Sequence, residues 1–235
     1  EKIMPQLAMT QKITVGSMAR TLRNSYKNWA SSKEHLRNEE RRKYPYVYSE
    51  ELVTREYCLA RERNRDTLSI DLGCGANPRN PFFAETLLGL DVQGGVSDTI
   101  RICDIINNGI DKGSCKADFI TAFDFVEHVP RVSISDGSTR FPFIELMNEV
   151  SRVLKPGGLF YHRTPAYPNK AAFQDPTHVN IITEDTFPLY FCATENQQPW
   201  ARMYGFKGSF ELLRQAWIGS SLIGVMKCVQ QSHGD

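Results

Sequence analysis

Ser69-Ile-Asp-Leu-Gly-Cys-Gly-Ala-Asn-Pro78 decides the fold. It starts as an apolar strand and breaks into two glycines just behind an aspartate. Glycines at such a junction let the chain bend tightly and let a ligand approach the backbone with no Cβ in the way. Doubly wound sheets bind ligands at the carboxyl ends of their strands. Asp71, Gly73, Cys74 and Gly75 are therefore the first candidate binding residues, expected between a strand and the next helix. A dinucleotide would call for G-x-G-x-x-G, whose third glycine opens the helix under the pyrophosphate. Here Asn77-Pro78 follows the second glycine and the third is missing. An aspartate ahead of the bend repels a diphosphate and attracts an ammonium or sulfonium group.

Outward from the bend, strands and helices alternate, which predicts parallel pairing with right-handed crossovers. The strands are read at Thr67–Leu72, Leu87–Leu90, Thr99–Cys103, Phe119–Phe123 and Leu159–Arg163. Ile144, Met147, Val150 and Leu154 repeat at helical spacing and predict an amphipathic helix over Phe141–Leu154. Lys155 closes that helix, and Pro156-Gly157-Gly158 turns the chain. Gly208–Trp217 and Leu222–Val229 are strand-like runs joined by Gly219-Ser220-Ser221. That link is too short for a crossover, so the pair is an antiparallel hairpin. The expected fold is α/β: a Rossmann-like, mostly parallel seven-stranded sheet with an antiparallel C-terminal hairpin, helices on both faces and an N-terminal helical lid.

Further candidates sit at strand ends. Asp91 follows Gly73 by 18 residues, close to where such folds place a carboxylate on a ribose diol. A loop aspartate capping a helix would occupy the same spot. Asp104 ends the third strand and is read either as an adenine contact or as a turn former. The fourth strand delivers Phe123, Asp124 and Phe125 to the same edge, with Glu127 and His128 one turn further; a plain core strand before a helix start is the alternative.

Taken in order, these pieces resemble the class I, Rossmann-like S-adenosylmethionine (SAM)-dependent methyltransferases over about Ser69 to Pro165. Asp71-Leu-Gly-Cys-Gly75 is similar to the family's glycine-rich first motif. Asp91, with Val92 beside it, resembles its ribose acid, and Cys103-Asp104-Ile105 its adenine-side motif. Phe123-Asp-Phe-Val-Glu-His-Val129 resembles the fourth motif, and Val153-Leu-Lys-Pro-Gly-Gly-Leu159 the turn before the fifth strand. The resemblance implies a SAM cofactor, with S-adenosylhomocysteine (SAH) as product. It leaves the acceptor open, because one fold serves many acceptors.

The acceptor side is expected after the fourth and fifth strands. Ala172-Phe-Gln-Asp-Pro-Thr-His-Val-Asn180 resembles, more loosely, methyltransferases associated with bacterial surface-polysaccharide biosynthesis. O-methylation of a sugar or glycan is thus the leading expectation. Small-molecule methylation in secondary metabolism and a non-catalytic SAM-binding domain are the alternatives. A neutral hydroxyl needs a base, and histidine is the side chain poised near neutral pH. Of five histidines, His178 ranks first, with Asp175 three residues earlier to orient it. His128 is second, and His162, inside a strand, reads as a core residue. Asp175 and His178 would be part of a magnesium site only with further oxygen ligands. No second clustered carboxylate is visible, so no metal is expected.

Composition bounds the rest. Net charge is +1, and no apolar run approaches the roughly 20 residues of a membrane span. Six scattered cysteines without a C-x-x-C pair fit a reducing cytoplasm. The first 65 residues, read as a segment apart from a SAM-binding domain over 66–235, differ in character. Lys12–Arg65 holds 13 Lys/Arg against 7 Asp/Glu. Helices are expected at Thr21–Arg42 and Glu50–Arg63, with Tyr44, Tyr46 and Tyr48 between them. This basic stretch is read as a lid, as a contact for an anionic acceptor, or as an RNA contact. No RNA-binding module is recognisable, and nucleic acid is not the expected partner. The chain begins at Glu1 rather than Met, which leaves room for further domains.

Overall fold

The computed structural model describes residues 42–59, 66–94, 98–110, 116–135 and 137–229. The expected helix at Thr21–Arg42 lies outside them but for its last residue. In chain order the elements are α1 (Glu51–Leu59), β1 (Leu68–Leu72), β2 (Thr86–Asp91), β3 (Ile100–Ile102), α2 (Ile105–Asn108) and β4 (Ala117–Phe123). A 3-10 turn at Val126–His128 follows, then β5 (Ser133–Ser135), β6 (Ser138–Arg140), α3 (Pro142–Val153), β7 (Leu154–Pro165), α4 (Ala171–Gln174) and α5 (Thr186–Phe191). A second 3-10 turn (Trp200–Tyr204) leads to β8 (Phe210–Ile218) and β9 (Ser221–Cys228).

Seven strands form one sheet in the order β3-β2-β1-β4-β7-β9-β8. β3, β2, β1, β4 and β7 are parallel, and β9 runs antiparallel to both β7 and β8. The expected sheet and its closing hairpin are therefore present. β1 and β4 are buried almost end to end, as parallel strands covered on both faces must be. Alternate residues feed two cores. Ile70, Ile120, Ala122 and Phe160 face α3 and α5, whose Met147, Val150, Phe187 and Phe191 cover them. Phe119, Phe123, Tyr161 and Val225 face the other way, onto Val47, Val53 of α1 and Phe82.

Three features depart from the sequence reading. No helix follows the glycine bend: residues 73–85 run as a loop straight into β2. Pro78 and Pro81 explain this, since each restricts its predecessor to extended backbone and removes a helical donor. The loop supplies by itself the cover a helix would have given. Phe82 stacks on Phe119 at 4.5 Å, and Asn80 clasps the Ala84 backbone through both N–H and C=O (2.9 and 2.8 Å). Second, Lys155-Pro-Gly-Gly158 does not separate helix from strand. β7 begins at Leu154, and the stretch is an irregularity where pairing slips between Ala117↔Leu154 and Phe119↔Leu159. Third, the small hairpin β5–β6 was not expected, although the two-residue Asp136-Gly137 link between its strands is a recognised hairpin signal. Among the described residues no helix is long and apolar enough to cross a membrane.

The compact unit that holds the sheet starts at Lys43. Tyr46 pairs with Trp217, bracketed by Val47 N–H donating to Trp217 O (2.7 Å) and Trp217 N–H to Pro45 O (2.8 Å). The stretch thus extends the β8 edge. Tyr48 is 89% exposed.

Candidate functional site

The cofactor-side candidates converge where β1, β2 and β4 end. Gly73 and Gly75 take left-handed backbone (φ +63 and +57). Gly73 N–H donates to Leu90 O at 2.8 Å, and Gly75 N–H to the Asp91 carboxylate at 2.8 Å. The second Asp91 oxygen accepts Gln93 N–H, also at 2.8 Å. The bend therefore lies across the tip of β2 with Asp91 locked beside it. A Cβ on Gly73 would fall 2.3 Å from the Phe125 ring, so glycine is required twice over, by conformation and by contact. Through that contact the structure brings Gly73, Gly75, Asp91 and Phe125 together. Asp124, before Phe125, is exposed and held at φ +49, with its N–H on Arg163 O at 2.8 Å. Non-glycine residues at such φ cluster at functional sites.

Other candidates are placed differently. Asp71 is 1% exposed and turns beneath the loop. It accepts the Thr121 hydroxyl at 2.7 Å and Arg79 N–H at 2.8 Å. Burial pushes its carboxyl up to about 6, with both hydrogen bonds pulling the other way. It braces the bend from inside. The Cys74 thiol packs so closely on Gly89 that a Cβ there would lie 2.6 Å away, and burial lifts the thiol to about 11. Phe123 is buried, its ring 4.6 Å under the Arg79 guanidinium. Ile105 is in the core. Asp104 caps α2, accepting Asn107 backbone and side-chain N–H at 3.1 and 2.8 Å. Beside it Val92 and Ile102 stay 64% and 69% exposed, and all three line a cleft of about 770 Å³.

The acceptor-side candidates form a second group, assembled from distant segments. Asp175 does not hold His178: its carboxylate is 3.9 Å from His178 Nε2, too far for a hydrogen bond. It accepts instead the Thr177 backbone N–H (2.8 Å) and hydroxyl (2.7 Å), which hold its carboxyl below the usual range. The Thr177 hydroxyl proton is thereby committed, so Thr177 Oγ1 faces His128 Nδ1 (3.0 Å) as an acceptor. Thr177 carbonyl, which can only accept, is 3.3 Å from the same nitrogen. Both contacts require the proton on Nδ1, leaving the Nε2 lone pair of neutral His128 available. The residue that Asp175 orients is thus His128, through Thr177. The His178 ring meets that of His128 edge-on at 4.8 Å.

Glu127, which the sequence reading noted without a role, is 1% exposed. One carboxylate oxygen accepts the Thr164 hydroxyl at 2.8 Å; the other is buried without a hydrogen-bond partner, as is His178 Nδ1. Burial pushes the Glu127 carboxyl up to about 7. Asn180 staples the two strands of chain together: its amide donates to Val126 O (2.9 Å), its carbonyl accepts from Arg131 (2.7 Å), and its N–H reaches Glu127 O (2.9 Å). Glu184 performs a similar service further on, accepting Trp217 Nε1–H (2.6 Å) and Lys43 N–H (3.0 Å). The signal for these partners was present only as polar residues crowded into 175–184. His162 is a core residue, fully buried and stacked on Phe187 at 3.8 Å. His35 and His233 lie outside the described residues.

No protein-family model matches this chain, and no curated protein matches it. Solved structures do. A didemethyltoxoflavin N-methyltransferase of Burkholderia thailandensis, crystallised with its acceptor and SAH, aligns with TM-score 0.45 and 12% identity over 97% of this chain and 94% of its own. The SAH-bound N-methyltransferase NodS of Bradyrhizobium japonicum aligns with TM-score 0.46 and 13% identity over 84% and 98%. A putative methyltransferase of Haloferax volcanii, in complex with a methyltransferase activator, gives 0.48 and 13% over 86% and 97%.

Proposed function

We propose that this chain is a SAM-dependent methyltransferase acting on a hydroxyl of a sugar or glycan. One observation carries the reading: Phe125 packs directly on Gly73, so the bend beside Asp91 and the turn bearing His128, three residues after Phe125, share one sheet edge. Asp91 suits a ribose diol, because a carboxylate accepts two hydroxyl protons at once. Val92 and Ile102 offer exposed apolar surface for a purine, with Asp104 beside it. When bound, SAM supplies a methyl carbon already made electrophilic by its sulfonium. The chain's own task is to place the acceptor oxygen and take its proton as the O–C bond forms and the C–S bond breaks. The cluster around His128 is suited to receive that proton, since its Nε2 lone pair is set by Thr177 and Asp175. Two exposed rings on the acceptor loop, Tyr167 and Phe173, meet edge-on at 6.5 Å and offer apolar faces to a sugar ring. The same rings favour, as a second reading, a small aromatic acceptor.

The test is SAH titration by calorimetry followed by labelled methyl transfer to panels of sugar nucleotides, oligosaccharides and small aromatic alcohols. We expect SAH binding and label on a carbohydrate oxygen. Label only on aromatic acceptors would replace the acceptor assignment, and no SAH binding would remove the whole proposal.

A further inference from the structure

Three ligand-type side chains from two segments fifty residues apart meet at the acceptor edge. Glu127, His128 and His178 each offer one donor atom, and all three atoms lie within 4.8 Å of one another. A cation about 2.1 Å from tetrahedral ligands sets them about 3.4 Å apart, so small side-chain rotations close the set. Two of the three carry a buried atom with nothing to bond. Glu127 Oε1 and His178 Nδ1 have no hydrogen-bond partner, although buried polar atoms are normally paired. The third is held ready from behind: Asp175 fixes the Thr177 hydroxyl, which fixes Nδ1–H of His128. A histidine whose far nitrogen is tied through a hydroxyl to a carboxylate has the support seen around metal ligands. Thr164 gives Glu127 the same support from β7.

We propose that Glu127, His128 and His178 bind one divalent first-row transition-metal ion. Two imidazoles and one carboxylate suit such ions better than magnesium or calcium, which prefer all-oxygen sets. Three protein ligands leave coordination positions open. The sequence reading expected no metal because no second carboxylate was visible beside Asp175 and His178; the fold brings Glu127 and His128 to His178 and places Asp175 behind them. Binding of the ion stands apart from the proposed function. Its use rests on that reading and changes the role of His128 within it: ligated through Nε2, His128 would no longer take the proton itself, and an acceptor hydroxyl at an open position would lose its proton to solvent more easily, as metal-bound water does.

The experiment is calorimetric titration of the full, chelator-stripped chain with Co²⁺ and with Zn²⁺, the cobalt series also followed by its visible absorption, with SAH binding measured in parallel. One equivalent is expected. Glu127→Gln and His178→Ala should each lower affinity at least 100-fold with SAH binding intact. Asp175→Asn should lower it about 10–100-fold, as loss of an outer partner does. No uptake of either ion, or uptake unchanged in Glu127→Gln, overturns the proposal. If His178→Ala loses SAH binding through misfolding, the isosteric Glu127→Gln decides alone. Metal uptake without SAH binding would sink the proposed function and leave this site standing.

Discussion

The two halves of the carboxyl edge are built in opposite ways. The cofactor side is one bend and the strand tip beside it, with Gly73, Gly75 and Asp91 linked by hydrogen bonds spanning 16 or 17 residues of chain. The proposed acceptor side is stitched mainly by contacts across about fifty residues: His128 to Thr177, Asn180 to Val126, Arg131 to Asn180. A local loop carries its geometry in its own residue types. A discontinuous cluster carries it in contacts that no short window contains. The two sides should therefore fail separately, and the largest expected effect tests that. On the proposed function, His128→Ala lowers turnover about 10²–10⁴-fold, the range for losing a proton-transfer group, while SAH affinity measured by calorimetry stays within twofold. A matching loss of SAH affinity would show the two sides to be one unit.

Gly73→Ala attacks the seam between them. The left-handed backbone costs an L-residue roughly 1–2 kcal/mol, and the new Cβ would fall 2.3 Å from Phe125. Together these cost the folded bend about 2–4 kcal/mol, read by denaturant unfolding, and SAH affinity falls to the extent that the bend relaxes to shed the strain. Adding Phe125→Ala should recover the contact share and leave the conformational share. No recovery in the double variant would mean that Phe125 does not couple the halves. Asp91→Ala is the purely local counterpart: one charge-assisted partner lost, about 1.5–3 kcal/mol of SAH affinity, and an unchanged titration would reject its ribose role.

The same division explains what could be read in advance. Strand identities were legible because β1 and β4 carry closely spaced apolar residues (Leu68, Ile70 and Leu72; Phe119, Ile120, Ala122 and Phe123), and the closing hairpin because Gly219-Ser220-Ser221 leaves no room for a crossover. The missing helix after β1 was misread although its cause was written in the chain, as Pro78 and Pro81. On the acceptor side, Asp175 and His178 stood three residues apart, and sequence proximity suggested a pair. The backbone instead turns Asp175 onto Thr177, and the histidine it orients lies 47 residues earlier. Glu127 gave no sign of being buried, because burial at that turn comes from the 179–180 backbone folding over it.

His162 belongs to neither side, and the smallest expected effect uses it as an internal control. It sits on β7 one residue before Arg163 yet faces the core, where a Cβ on Gly224 would come within 2.4 Å of its ring nitrogen. Neither ring nitrogen has a hydrogen-bond partner, and burial lowers its pKa from 6.5 to about 3. The folded protein therefore refuses a proton that the unfolded chain accepts. Its contribution to stability is fully present above pH 6.5 and is lost as pH falls toward 3, by about 1.4 kcal/mol per unit. Asp71 runs the other way, because its carboxyl is raised from 3.8 to about 6. Its contribution is present below pH 3.8 and is lost as pH rises through 6, so it partly masks the His162 slope in the wild type. His162→Leu isolates the histidine. Denaturant unfolding at pH 7.5 and at pH 4.5 should show the variant gaining about 2–3 kcal/mol on the wild type at the lower pH, with SAH binding unaffected. Equal acid losses in both proteins would mean that this histidine reaches solvent or a partner, and that the core beneath β7 is less closed than its packing implies.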